Sequence, residues 1–160
     1  MSIDEVLIAM SIIGLGMLLG GGVYESVVMA PNHRNNVPES LVHLRQFLKI
    51  TTPANYFRFV SPTTFLILTV TVVACWHVEA ARWWIAGALC IHIISDTITY
   101  SYHYPRNKIL FVDPLIDDAD RLLRLSKEWN RGNIVRIILL SVSVSLTLIG
   151  LVALAQQSLS

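Results

Sequence analysis

Polar and ionisable side chains recur at helical spacing within the strongly apolar stretch at residues 83–104. The set consists of His92, Ser95, Asp96, Thr99, Tyr100 and His103. At about 3.6 residues per turn, this spacing places all of them on one face of a helix as a continuous stripe. His92 and Asp96 are one turn apart, so the carboxylate can orient the imidazole, and either group suits general-base chemistry.

Further polar side chains stand where the other apolar stretches of the chain begin or end. They are Tyr24, Glu25, Asn55, Tyr56, Arg58, Asn133 and Arg136. Because successive helices of a bundle alternate in direction, we expect these ends to meet the stripe at one end of the bundle. A buried carboxylate there, Glu25 or Asp96, would be balanced by Arg136 or Arg58.

Each of these residues also has a structural explanation. Serine and threonine in membrane helices often donate to carbonyls of their own helix, and a buried histidine often serves only as a hydrogen-bonding residue. Tyrosines near a membrane surface form aromatic belts. A functional pocket is the better explanation for the whole set, because many polar side chains at one level of a bundle are costly to bury.

The elements that must position these side chains follow from composition. Of the 160 residues, 54% are hydrophobic and 14% charged, whereas a soluble domain carries about a quarter charged residues. Four stretches reach the roughly 20 apolar residues that cross a bilayer, at about residues 6–29, 57–78, 83–104 and 133–155. The sequence therefore predicts one all-α domain over residues 1–160, an integral membrane bundle of four transmembrane helices.

Two long connections separate these spans, and both have apolar residues at helical spacing. In the first, at residues 31–56, they are Leu41, Leu44, Phe47 and Leu48. In the second, at residues 114–129, they are Leu115, Ala119, Leu122, Leu123 and Trp129. Both patterns predict short amphipathic helices at the membrane interface.

Positive charge is distributed very unevenly along the chain. All of the twelve lysines and arginines except Arg82 lie in or beside the two long connections. By the positive-inside rule, the long connections are cytoplasmic and both termini face outward in this multi-pass protein. The net charge of +1 leaves no basic footprint for nucleic acid. The predicted partners are the lipid bilayer and a hydrophobic small molecule.

The first predicted span is rich in glycine. Gly16 and Gly20 have the spacing that allows two membrane helices to approach closely. Such a spacing indicates packing within the bundle or between protomers. A homo-oligomer through the face between Gly14 and Gly22 is therefore a further prediction.

Several motifs occur in a fixed order along nearly the whole chain. Tyr24-Glu25 is followed by Pro31, then by Pro53-Ala54-Asn55, then by P-R-N-K-I-L at residues 105–110, and then by W-x3-N-x2-R ending at Arg136. In this order the chain resembles the anthrone-oxygenase-like family of small four-helix membrane proteins. Members with assigned roles oxidise aromatic polyketide anthrones to anthraquinones without a conventional cofactor motif.

The resemblance implies a fold and a pocket more strongly than a substrate. The polar positions that it implies are Asn107, Trp129, Asn133 and Arg136. Together with the residues above, the predicted catalytic set is Asp96, His92, Arg136, Tyr100 and Glu25. The predicted substrate-binding set is Asn55, Tyr24, Asn107, Trp129, Asn133 and His103.

Three functional hypotheses follow. The first is a membrane enzyme that acts on a hydrophobic small molecule, such as an aromatic polyketide or a terpenoid, by acid–base-assisted oxygenation or by isomerisation or cyclisation. The sequence assigns it no cofactor, and the alternatives are an enzyme without one or an enzyme with haem. The second is a membrane enzyme that holds a haem or metal on His92. The third is a non-catalytic membrane transport or assembly protein, although the sequence shows no inverted repeat.

Overall fold

The computed structural model describes residues 2–113 and 118–157. Within these ranges all regular structure is helical, which confirms the predicted all-α class. The α-helices are α1 (Ile3–Tyr24), α2 (Ala30–Arg34), α3 (Glu39–Phe47), α4 (Pro53–Ala74), α5 (Glu79–Ile98), α6 (Tyr104–Asn107) and α7 (Ala119–Gln157). The first three long helices, α1, α4 and α5, each begin three or four residues before the predicted spans.

Three wider, π-helical turns continue these helices. Glu25–Met29 joins α1 to α2, Thr99–His103 joins α5 to α6, and Lys108–Val112 follows α6. The first two end two residues before a proline, Pro31 or Pro105. Proline lacks an amide donor and its ring clashes with the carbonyl four residues earlier, so a wider turn ahead of it accommodates both defects.

Three helical runs are long and apolar enough to cross a membrane: Ile3–Arg34, Pro53–His77 and Ala119–Gln157. The fourth long helix, α5, is not among them, because its polar stripe lowers its hydropathy. Large apolar side chains are exposed on the outer faces of the helices, among them Ile13, Phe59 and Ile138. Such outward apolar surface is typical of a protein that lies in lipid.

The four long helices pack in the cyclic order α1, α4, α5, α7. One apolar core contains Leu15, Leu68, Ala88 and Leu140, and another lies toward the short turn between α4 and α5. Polar contacts also join the helices. Ser11 and Thr71 are hydrogen-bonded at 2.9 Å, and Ser143 Oγ donates to the Ala88 carbonyl at 2.9 Å. Small polar residues of this kind allow helices in lipid to approach and bond.

The glycines of α1 divide between two faces. A Cβ on Gly14 would lie 2.6 Å from Thr64 Oγ1, and one on Gly22 would lie 3.3 Å from Ile137 Cγ1, so both face the bundle. Gly16 and Gly20 have no neighbouring atom within 4 Å of that position. Only these two are therefore open to a second copy of the chain, and oligomerisation stays a prediction.

The first long connection contains the predicted short helix. In α3, Leu41 is fully buried in a cluster with Ala30, Leu110, Leu122 and Trp129, which covers one end of the bundle. Phe47, the last residue of α3, is 82% exposed, and Ile50, just beyond the helix, is 97% exposed. The placement of α3 at a membrane surface stays a prediction.

The second long connection differs from the prediction of a separate interfacial helix. Residues 114–117, including Leu115, lie outside the described ranges. From Ala119 onward the chain is already part of α7, which runs without interruption to Gln157. The reason is that Leu122, Ser126, Trp129 and Asn133 continue one buried face of the helix, and no proline interrupts it.

The two kinds of glycine position make a direct test of this packing. We expect Gly14→Ala to lower stability by about 1–3 kcal/mol, because the added methyl group must displace the stiff, branched side chain of Thr64. Gly16→Ala, on the same helix, should leave stability unchanged or raise it slightly. Thermal unfolding in detergent, followed by fluorescence-detected size exclusion, measures both. Equal effects at the two positions would contradict the packing.

Candidate functional site

A cavity of about 630 Å³ lies where the ends of α1 and α5 meet the start of α4 and the first part of α7. Its apolar wall includes Met29, Phe57, Phe111 and Trp129. The charged side chains that line it are Glu25, Arg45, Arg58, Asp96, Lys108 and Arg136. A concave, mostly apolar space with a few converging polar groups is the usual form of a small-molecule site.

Asp96 is the carboxylate that the structure holds most firmly at this cavity. Ser61 Oγ of α4 lies 2.7 Å from each oxygen of the Asp96 carboxylate, so its single proton is shared between them. His92 Nε2 lies 3.9 Å from Asp96 Oδ2, and the His92 side chain is completely buried while that of Asp96 is 26% exposed. Asp96 therefore faces the cavity with its orientation set by α4.

Arg136 is the cation at the centre of the site. It is only 7% exposed, and its guanidinium carbon lies 5.2 Å from the centroid of the Phe57 ring. Its Nη1 atom lies 3.4 Å from Asn133 Oδ1. Asp96 and Glu25 are the carboxylates whose charges act on it, but within the described residues neither forms an ion pair with it at 4.0 Å or less.

Two hydrogen-bonding atoms of this group have no partner in the described part of the chain. They are Glu25 Oε1 and Arg136 Nε, and both are buried. A buried donor or acceptor without a partner costs about 1–3 kcal/mol, and the cost is larger when the group is charged. Both residues line the cavity, although these two atoms are themselves enclosed by protein.

Two buried imidazoles lie against Trp129. The ring centroids of His33 and His103 are 5.6 Å and 5.5 Å from that of Trp129, each in an edge-to-face arrangement. Trp129 Nε1 donates to Asn107 Oδ1 at 2.6 Å. That bond connects the tryptophan of the W-x3-N-x2-R motif to the asparagine of the 105–110 motif, and so fixes both at the cavity wall.

The structure brings seven of the predicted site residues to the cavity. They are Glu25, Asp96, Tyr100, His103, Asn107, Trp129 and Arg136. The other four, His92, Asn133, Tyr24 and Asn55, lie outside it.

Three of these four residues, Tyr24, Asn55 and Asn133, are exposed or bonded elsewhere in the bundle. Tyr24 is 55% exposed, because on a helix it points about 100° away from its neighbour Glu25. Asn55 is exposed and donates to Thr51 Oγ1 at 3.1 Å. Asn133 is buried and donates to the Gly22 carbonyl at 2.8 Å and to Ser26 Oγ at 2.9 Å, joining α7 to the end of α1.

The position of His92 also bears on the haem alternative. Its imidazole is completely buried among side chains and does not line the cavity, so a haem could reach it only if the helices separated. Within the described residues there is also no group of three histidine, cysteine, aspartate or glutamate side chains placed to hold a metal ion.

Sequence reasoning did not select several residues that line the cavity, notably Ser61, His33, Arg45 and Lys108. Ser61 precedes Pro62 in an apolar span, where a serine usually donates to a carbonyl of its own helix. Its position in the sequence therefore did not indicate a contact with Asp96. His33 follows Pro31 beyond the predicted first span. It reaches the cavity only because the π-helical turn and α2 prolong α1.

Arg45 of α3 attaches the first connection to the segment after α6. Its guanidinium donates to the carbonyls of Ile109 at 3.1 Å, Leu110 at 2.8 Å and Asp113 at 2.6 Å. These carbonyls belong to the last turn of the Lys108–Val112 segment and to Asp113, which follows it, where helical carbonyls lack intrahelical partners. Arg45 therefore holds one wall of the cavity in place.

Comparison with protein-family models, with curated proteins and with solved structures finds no match to this chain. The resemblance to the anthrone-oxygenase-like family thus rests on the sequence motifs alone and stays a prediction.

Loss of the Arg45 contacts should loosen one cavity wall without unfolding the bundle. We expect Arg45→Gln to raise the rate of amide hydrogen exchange across residues 109–113 at least about fivefold, which corresponds to roughly 1 kcal/mol of local stability. Lys49→Gln, an exposed cation of the same connection, is the matched control and should leave exchange unchanged. Unaltered exchange in Arg45→Gln would show that these bonds do not hold the segment.

Asn133 and Asn55 provide a second matched pair. Asn133→Ala should lower stability by about 1–3 kcal/mol, because the Gly22 carbonyl loses a buried partner. Asn55→Ala should change it by less than about 0.5 kcal/mol, since that side chain is exposed and bonds only within its own segment. Thermal unfolding in detergent measures both variants. A larger loss in Asn55→Ala would contradict these assignments.

Proposed function

We propose that this protein is an integral membrane enzyme that binds a hydrophobic small molecule in the cavity and transforms it by acid–base chemistry. In this proposal α1, α4, α5 and α7 all cross the bilayer. The support for a fourth span is that α5 packs along α4 and α7, two helices that are apolar enough to cross. The uneven distribution of lysine and arginine supports a cytoplasmic position for the long connections and an outward position for both termini.

The observation that carries the proposal is the Asp96 carboxylate at the edge of an apolar cavity, oriented by Ser61 and facing the same space as Arg136. A carboxylate that is held by one donor yet remains accessible is suited to remove a proton from a bound ligand. A nearby guanidinium is suited to stabilise the negative charge that forms on the ligand. A volume of about 630 Å³ accommodates an aromatic polyketide or a terpenoid.

Anthrone oxidation is the reaction that the sequence resemblance favours. Asp96 would remove one proton from the methylene carbon of the central ring, and the electron pair would delocalise onto the carbonyl oxygen across that ring as an enolate. Arg136 and Tyr100 would stabilise this oxyanion. The enolate would then react with dioxygen, the co-substrate, to give a peroxide at that carbon.

The peroxide then breaks down to the carbonyl product. The peroxide is protonated, the second proton leaves the same carbon, and the O–O bond breaks with loss of water. One methylene group and one dioxygen molecule thus become one carbonyl group and one water molecule. If the substrate is instead an enolisable terpenoid, the same base and oxyanion site serve isomerisation or cyclisation, in which the proton returns to a different atom and no oxidant is consumed.

The experiment uses the purified protein in lipid nanodiscs with an anthrone, in air and under argon, and follows quinone formation by chromatography. Asp96→Asn should lower the enzyme-dependent rate at least about 100-fold, since general-base catalysis contributes a factor of this size. Asp120→Asn, an exposed carboxylate outside the cavity, is the matched control.

The wild-type rate should disappear under argon. Ser61→Ala, which removes the donor to Asp96, should fall between the wild type and Asp96→Asn. An undiminished rate in Asp96→Asn would exclude Asp96 as the base. Oxygen-independent conversion would favour isomerisation or cyclisation over oxygenation.

A further inference from the structure

Three cationic side chains besides Arg136 line the cavity, although a purely hydrophobic ligand requires none of them. They are Arg45, Arg58 and Lys108. The only carboxylates in the lining are Glu25 and Asp96, so the described lining carries an excess of two positive charges when all of these groups are ionised.

Two of these cations are available to a ligand. Arg45 is engaged by the carbonyls at residues 109–113. Arg58 and Lys108 are exposed, and within the described residues their side chains form no hydrogen bond or ion pair. Within the described residues Asp96 forms no ion pair with either of them at 4.0 Å or less, and its charge acts on Arg136. Two unpaired cations therefore belong to the more exposed part of the cavity wall.

The rest of the wall is apolar and aromatic. Phe57, Phe111 and Trp129 lie on it, and Trp129 is only 6% exposed. The cavity thus combines a buried apolar region with exposed positive charge. This combination matches an amphiphile, whose apolar body gains from burial and whose charged group stays near water.

We infer that the ligand of this cavity is an amphiphile whose anionic group, a carboxylate or a phosphate, binds Arg58 and Lys108 while its apolar body lies against Phe57, Phe111 and Trp129. The inference rests on the proposed function only in requiring that the cavity holds a hydrophobic small molecule. It does not depend on which reaction follows.

The competing explanation for these cations is the general excess of positive charge on the cytoplasmic side of membrane proteins. Lys49 and Arg131 separate the two explanations, because both are exposed, both belong to the same basic regions of the chain, and neither lines the cavity. Removal of this pair lowers the overall charge by the same amount as removal of Arg58 and Lys108.

The test measures binding by calorimetry to the full chain in nanodiscs of zwitterionic lipid, with empty nanodiscs subtracted. The probes are tetradecanoate, tetradecyl phosphate and uncharged tetradecan-1-ol. We expect both anions to bind the wild type about tenfold more tightly than the alcohol, as two partly exposed ion pairs allow. The preference should weaken as ionic strength rises.

The variants assign this preference to residues. Arg58→Gln combined with Lys108→Gln should remove it and leave alcohol binding unchanged, whereas Lys49→Gln combined with Arg131→Gln should keep it. Thr99→Phe, which narrows the cavity, should weaken binding of all three probes and so place them in the cavity. Circular dichroism and size exclusion establish that each variant is folded.

The source of the anionic group is settled by adding phosphatidylglycerol to the nanodiscs. If a membrane lipid is the natural occupant, this lipid competes with both anionic probes; if the occupant is a free amphiphile, it does not. Both results keep the anion site and differ only in its source.

Three results would overturn the inference. Equal affinity for the anions and the alcohol, or equal loss of preference in the two double variants, would show that Arg58 and Lys108 form no anion site, while the proposed function would stand. Absence of binding by all three probes would mean that the cavity does not hold hydrophobic molecules. In that case the inference and the proposed function would fail together.

Discussion

Burial of a guanidinium group inside a helical bundle costs several kcal/mol unless its charge is balanced and its donors are bonded. Arg136 of α7 is buried in this way, and the groups that act on its charge come from other helices. Glu25 follows α1, Asp96 lies on α5, and Phe57 on α4 presents its ring to the guanidinium. Because each partner comes from a different helix, the four long helices must converge at this level. The cavity lies at that convergence.

The balance around Arg136 is incomplete within the protein. Arg136 Nε and Glu25 Oε1 are buried without hydrogen-bond partners in the described residues, and Asp96 is oriented by a neutral donor, Ser61. A fully paired network would be a structural lock between helices. This network is incomplete beside a cavity, and its accessible member is the Asp96 carboxylate, whose side chain is 26% exposed. A polar ligand can therefore reach the network through Asp96.

The prolines of this chain contribute indirectly to the same site. Pro31 and Pro105 each follow a π-helical turn, and these turns contain Glu25 and His103. A wider turn shifts the angular position of the residues that follow it relative to a regular helix. The turns also let the helical runs continue past the prolines. As a result His33, Asn107 and Phe111 lie beside Trp129 at the closed end of the bundle.

The lining of the cavity was predictable from the sequence only in part. Helical spacing identified the stripe from His92 to His103, and the stripe does lie on one helical run. Spacing alone could not show which members of the stripe face the cavity. His92 is sealed among side chains, whereas Asp96, one turn later, faces the cavity. The difference depends on which side chains of neighbouring helices cover each position, which one helix's periodicity does not specify.

The sequence by itself determined the all-helical class, the apolar helices suited to a membrane, and the end of the bundle where polar groups gather. These features depend on local hydrophobicity and periodicity, which each segment carries independently. Only the tertiary structure decided that the second connection is the start of α7, that Asn133 joins helices, and that Ser61 holds Asp96. Seven of the polar residues predicted to converge at that end line a cavity. The sequence could not show which ones, because contacts between distant segments depend on the relative rotation and height of packed helices.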